Sequence, residues 1–257
     1  MRTIELKYKR LIGWNVIKTT VPSGYAEMTP SQFLASIRLS KGWIDEMTFF
    51  VQFFGIPEKL LPRIDAFSLY KITETLESLK TDNSAYFGFY QASLPGGELL
   101  APENKLKGMC FQQFMTVDTF FSWYVTTDKE DYLNRFVGAL YLKEDETYIP
   151  GEGSLLILDA RILDIAKLPF DLKYSILINW VLIKSWLSHS YIHLFPESEI
   201  SENSKGDKVK GKPVDWLALF DSFVGDNIAD IDAYKALPCM DAFRLLNRRI
   251  KEAKKKG

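Results

Sequence analysis

His189 and His193 are the only histidines in the chain, and they stand four residues apart. On a helix that spacing places both imidazoles on one face, the arrangement a zinc-binding helix needs. The protease form of such a helix has a glutamate directly after the first histidine to act as base; here Ser190 stands in that place. A third ligand would have to come from Glu197 or Glu199, since neither Cys110 nor Cys239 is near in sequence. Two histidines at the end of a helical run also complement the negative end of its dipole without any metal. A metal protein or enzyme centred on this pair is therefore the alternative reading, and the leading one expects no cofactor and no catalytic residue.

The remaining motifs fall short of chemistry by identifiable residues. Gly206-Asp207-Lys208-Val209-Lys210-Gly211-Lys212-Pro213 imitates a phosphate-binding loop until Pro213, which has no hydroxyl to hold magnesium. Gly151-Glu152-Gly153 lacks the third glycine of a dinucleotide turn, and Ser154 lacks the closing glycine of a nucleophile elbow. Asp221, Asp226, Asp230 and Asp232 are interrupted by Ile228 and Ile231, without the ordered spacing of a calcium loop. Cys110, between Met109 and Phe111, and Cys239 read as buried, inert thiols.

Aromatic side chains are the unusual feature, at 14% of residues. Trp43, Phe49, Phe50, Phe53 and Phe54 fall on more than one face of a short helix, so one packing direction does not bury them all. Phe120, Phe121, Trp123 and Tyr124 behave likewise. Such helices are either central to a bundle or present part of the set to another protein chain, and these nine residues are the candidate partner-binding set. The C-terminal run from Arg244 to Lys256 is basic, but Lys plus Arg (32) nearly cancels Asp plus Glu (33). With no matching basic surface elsewhere, neither nucleic acid nor an acidic membrane is expected as partner.

The elements that must position these residues are mostly helical. Ile4, Leu6 and Tyr8 alternate with Glu5 and Lys7 as in a half-buried strand, and Val16-Ile17 suggests a second. Two strands alone are marginal, so this pair must lean on something. Thr29-Pro30-Ser31-Gln32 is a capping box opening a helix that Gly42 ends. Further helices are expected over 44–54, from Asp65, from Asp118, from Asp128 to Leu142, over 155–166, and after Pro213 and Pro238. The stretch from Leu172 to Phe195 is the most apolar, but Lys173, Asn179, Lys184 and His189 interrupt it, which predicts a buried central helix rather than a membrane span. The expected organisation is a β element over 1–25, a first helical part with a hairpin or loop over 26–108, and a second over 109–257 with a mobile loop at 197–213. The fold class is mainly α, built of bundle-like helical domains with the small N-terminal β element.

A net charge of −1, two cysteines and charges at Arg2, Glu5 and Lys7 where a signal peptide needs an apolar run point to the cytoplasm. Thr3-Ile4-Glu5-Leu6-Lys7-Tyr8, Glu27-Met28-Thr29-Pro30-Ser31-Gln32-Phe33, Phe114-Met115-Thr116-Val117-Asp118-Thr119-Phe120 and the run from Asp131 to Tyr141 resemble proteins of tail gene clusters in phages and prophages of Bacteroides-type bacteria. The resemblance covers residues 1–145 best and supplies no catalytic residue. It implies a non-enzymatic protein of virion assembly, chaperone-like toward the tape-measure protein or a component of the particle. The expected partner is thus another protein chain, such as a tape-measure or tail protein, with a homo-oligomer as a further option.

Overall fold

The computed structural model describes residues 2–79, 94, 99–143, 146, 148, 152–195, 214–225 and 228–256. The fold is mainly α, and the chain divides into two compact units, Met1–Phe89 and Tyr90–Gly257. The expected loop at 197–213 and most of the hairpin region after residue 80 lie outside the described residues. Among the described residues no helix is long and apolar enough to cross a membrane.

In the first unit, β1 (Arg2–Lys9) and β2 (Trp14–Val21) form an antiparallel hairpin. Strand alternation buries Ile4, Leu6 and Tyr8 together with Thr19 and Val21, and the hairpin rests this face on its own unit's helices. Those helices are α1 (Pro30–Ser40), α2 (Glu46–Phe54) and α3 (Ala66–Leu79). The capping box forms as the sequence demands: Thr29 N–H donates to Gln32 Oε1 at 3.0 Å, and Gln32 N–H donates to Thr29 Oγ1 at 3.2 Å. Gln32 does a second job, donating from Nε2 to the Phe53 carbonyl at 3.2 Å, while Thr19 Oγ1 donates to the Phe54 carbonyl at 2.7 Å. Carbonyls left orphaned at the end of α2 are thereby satisfied by α1 and β2. Asp65 caps α3, accepting from the backbone of Phe67 and Ser68, and its carboxyl lies below the usual range chiefly because the Ser68 hydroxyl donates to it.

The second unit contains β3 (Leu99–Leu100) paired with β4 (Leu142–Lys143), and the helices α4 (Phe111–Thr127), α5 (Glu130–Leu140), α6 (Glu152–Ala166), α7 (Phe170–Ser190), α8 (Trp216–Val224), α9 (Ile231–Ala236) and α10 (Cys239–Lys256). The division at 89/90 precedes the boundary read at 108/109. The reason is local: Leu99–Leu100 pairs within the second unit, and the Met109 carbonyl accepts from Cys239 N–H at 3.0 Å. Two capping expectations are corrected as well. Asp118 lies inside α4, which Cys110 caps, and Asp128 closes α4 at φ 57 rather than opening α5, whose N-cap is Lys129. Aspartate tolerates that left-handed conformation better than most side chains.

α5 buries Leu133, Phe136, Val137 and Leu140, and Gly138 lets α6 approach closely: a Cβ there would lie 2.8 Å from Leu158 Cδ1. Buried cations tie the layers. Lys173 on α7 donates to Glu130 Oε1 at 2.7 Å and Asn134 Oδ1 at 2.8 Å on α5. Arg161 on α6 donates to the carbonyls of Gly138 and Tyr141 and pairs with Glu146. Burial pulls the Arg161 guanidinium below its ordinary pKa, against the pull of Glu146.

Candidate functional site

α4 is apolar on two faces, and each has its own role. Phe111, Phe114, Val117, Phe121 and Tyr124 point into the unit's core. Gln112, Met115, Thr116, Thr119, Phe120 and Trp123 recur at helical spacing along the other side and form one wall of a cleft of about 290 Å³. The opposite wall is Trp216, Leu217 and Phe220 of α8, with Lys235 of α9 at the end. Phe120 meets Trp123 edge to face at 5.5 Å, and Trp123 in turn packs on Tyr132 at 5.3 Å, so the indole is braced although 47% exposed.

A buried carboxylate anchors this cleft from below. Asp118 is fully buried on the core stripe of α4. The Trp216 indole N–H donates to its Oδ2 at 2.8 Å, the Trp180 indole N–H to its Oδ1 at 3.2 Å, and Lys184 Nζ lies 2.7 Å from Oδ1. Lys184 also sits 4.9 Å from the centre of the Phe121 ring. A buried charge needs both pairing and hydrogen bonds, and Asp118 has them from α7 and α8 at once. Trp216 is thus fixed as the cleft wall by a bond to the core, while Phe114 packs against Trp180, Trp216 and Phe243 at 5.2, 5.4 and 4.6 Å. With a donor on each oxygen, Asp118 organises the site by holding Trp180, Trp216 and Lys184 together.

The nine aromatic candidates separate on this structure. Phe49, Phe53 and Phe54 are buried against one another in the first unit, with ring centres 4.8 to 6.1 Å apart, and Phe50 is half-buried on Phe54. Phe121 and Tyr124 are buried in the second unit. For these rings the first of the two alternatives holds: they are core residues of their own unit rather than surface offered to a partner. Phe120, itself buried, meets the half-exposed Trp123 at the cleft, and Trp43, 42% exposed, lies just before α2. Burial raises the Tyr124 phenol to about 12.

His189 and His193 do not share a helix face. α7 ends at Ser190, and Tyr191 leaves the helix at φ −132 and ψ 61, so the four-residue spacing is not helical. His189 Nδ1 lies 2.7 Å from the Ser185 carbonyl, and the His193 backbone N–H donates to Asn247 Oδ1. Among the described residues no three His, Cys, Asp or Glu side chains gather as metal ligands. The phosphate-loop imitation and Asp226 lie outside the described residues. Cys239 is buried and its thiol raised to about 12 by burial, while Cys110, half-buried, is raised for the same reason.

Sequence reasoning missed Asp118 as an anchor and Trp216, Gln112, Met115, Leu217 and Lys235 as cleft residues. One signal was present: Asp118 follows Phe111 and Phe114 and precedes Phe121 on a single apolar stripe, where an acid has no place without partners. No family model matches the chain, and neither a curated protein nor a solved structure matches it.

Proposed function

We propose that this protein is a non-enzymatic assembly protein that holds an amphipathic helix of another protein chain in the cleft between α4 and α8–α9. The observation that carries this reading is the preformed apolar wall of Phe120, Trp123, Trp216 and Leu217, with Trp216 fixed by the buried Asp118. Helix-in-groove recognition needs such a trough, and a rigid indole supplies binding energy at low entropic cost. Asp215, Asp221, Asp230 and Asp232 along the α8–α9 segment, against Lys235, favour an occupant with cations flanking its apolar stripe. In the setting implied by the resemblance to tail-cluster proteins, the occupant is a segment of a tape-measure or other tail protein, met in the bacterial cytoplasm or on the particle.

Photo-crosslinking from Leu217 in the native host tests the reading, with the equally exposed Leu163 on α6 as control position. The expected result is a crosslink to a cation-flanked apolar helix of one protein, specific to position 217 and lost on Trp123→Asp. Equal labelling from both positions overturns it.

A further inference from the structure

The most exposed apolar side chains in the described structure are not in the cleft but at the tip of the β1–β2 hairpin. Arg10 N–H donates to the Gly13 carbonyl at 3.0 Å, closing a turn whose two central residues, Leu11 and Ile12, project fully into solvent. Gly13, at φ +77, provides the left-handed step that brings the chain back. Trp14 (62% exposed) and Val16 (43%) continue the apolar surface along the outward face of β2. Opposite them in the ladder stand Lys9 and Lys7, and Lys18 follows two residues behind Val16.

Residues 6–26 contain four cations, Lys7, Lys9, Arg10 and Lys18, and no acid. Two carboxylates lie at the base: Glu5, 3.2 Å from Lys18, and Asp65, whose backbone N–H donates to the Lys7 carbonyl at 3.0 Å. A net charge near zero for the whole chain thus conceals a local positive band directly behind an apolar tip.

The geometry points to this hairpin as a docking element for an anionic phospholipid bilayer. Leu11, Ile12 and Trp14 enter the headgroup boundary, and Lys7, Lys9 and Arg10 meet the lipid phosphates. The row of Lys7 and Val16 lies two residues behind that of Lys9 and Trp14, about 7 Å along the strand. That matches the shallow depth, roughly 5–10 Å, to which interfacial elements bury their apolar face. Tryptophan favours this boundary because its ring is apolar and its N–H is polar. A nucleic-acid backbone would have no use for two bare aliphatic side chains, and the core of a protein interface is depleted in lysine. The inference stands on the first unit alone and is independent of the cleft.

Flotation of the full chain with vesicles of phosphatidylcholine, alone or with phosphatidylglycerol, tests it. Binding is expected only to the anionic vesicles, weakening with salt, and is abolished by Leu11→Asp combined with Ile12→Asp. Lys9→Gln with Arg10→Gln should weaken it by roughly tenfold or more, as loss of two surface cations implies. The substituted side chains lie outside the buried face, so an unchanged circular dichroism melt shows that each variant is folded. No binding to anionic vesicles overturns the inference. So does binding that survives the double aspartate variant, or self-association through the same tip without lipid.

Discussion

Helices α2 and α4 carry similar sequences, each a run of rings on more than one face, and the two units place those rings differently. In α2 the rings of Phe49, Phe53 and Phe54 pack on one another, and the polar bonds at its end come from Gln32 and Thr19 to backbone carbonyls. In α4 the rings surround a buried carboxylate that binds two indoles and a lysine. The difference separates shape from chemistry. An all-apolar cluster accepts any side chain that fills its volume, whereas a buried ion accepts only its own set of donors. Only the second arrangement fixes a wall on the surface, because Trp216 belongs to both the Asp118 network and the cleft.

The contrast is broken most strongly at Asp118. Asp118→Ala leaves Lys184 and two indoles without their acceptor and should destabilise the second unit by about 4 kcal/mol in urea unfolding; a loss below about 1 kcal/mol would falsify the anchoring role. A sharper comparison pairs two conservative changes. Asp118→Asn keeps the shape but sets an amide N–H₂ against a donor, at a cost of about 2 kcal/mol. Phe53→Leu in α2 keeps the chemistry and changes the shape, at about 1 kcal/mol. Equal losses would remove the distinction between the two clusters.

Asn179 provides the opposite sign. It is fully buried on α7, and among the described residues neither its Nδ2 nor its Oδ1 has a hydrogen-bond partner. Asn179→Leu should therefore stabilise the protein by about 1 kcal/mol, since an apolar side chain of similar branching carries no desolvation penalty. A destabilised variant would mean that the amide has a partner in solution. The smallest effect belongs to the cleft surface. Leu217→Asp, at a position 72% exposed, should change stability by less than about 0.5 kcal/mol while abolishing crosslinking from a neighbouring cleft position. A large stability loss would make Leu217 part of the core rather than of a docking surface.

Much of the fold was legible because its signals are short. Thr29, Gln32, Asp65, Gly55 and Gly225 act within one turn of the helices that they cap or end, and the alternation of Ile4, Leu6 and Tyr8 predicts which hairpin face is buried. Where a local signal was ambiguous, the reading failed in a regular way. Asp118 and Asp128 both look like N-caps, since aspartate favours that position, yet one is an interior anchor and the other a left-handed link. The His189–His193 spacing is helical only if the helix continues, and it stops at Ser190.

Propensity, caps and periodicity thus sufficed to specify a mainly helical chain with a β-hairpin, because each depends on residues within about four positions of one another. The division of the rings between core and cleft, and the anchoring of Trp216, belong to the tertiary structure alone. The donors that complete Asp118 from Trp180 and Trp216 lie 62 and 98 residues away, and no local pattern encodes a meeting over that separation. Burial is decided by which helices come to lie on a given face, and a helix apolar on two sides leaves that choice to its neighbours.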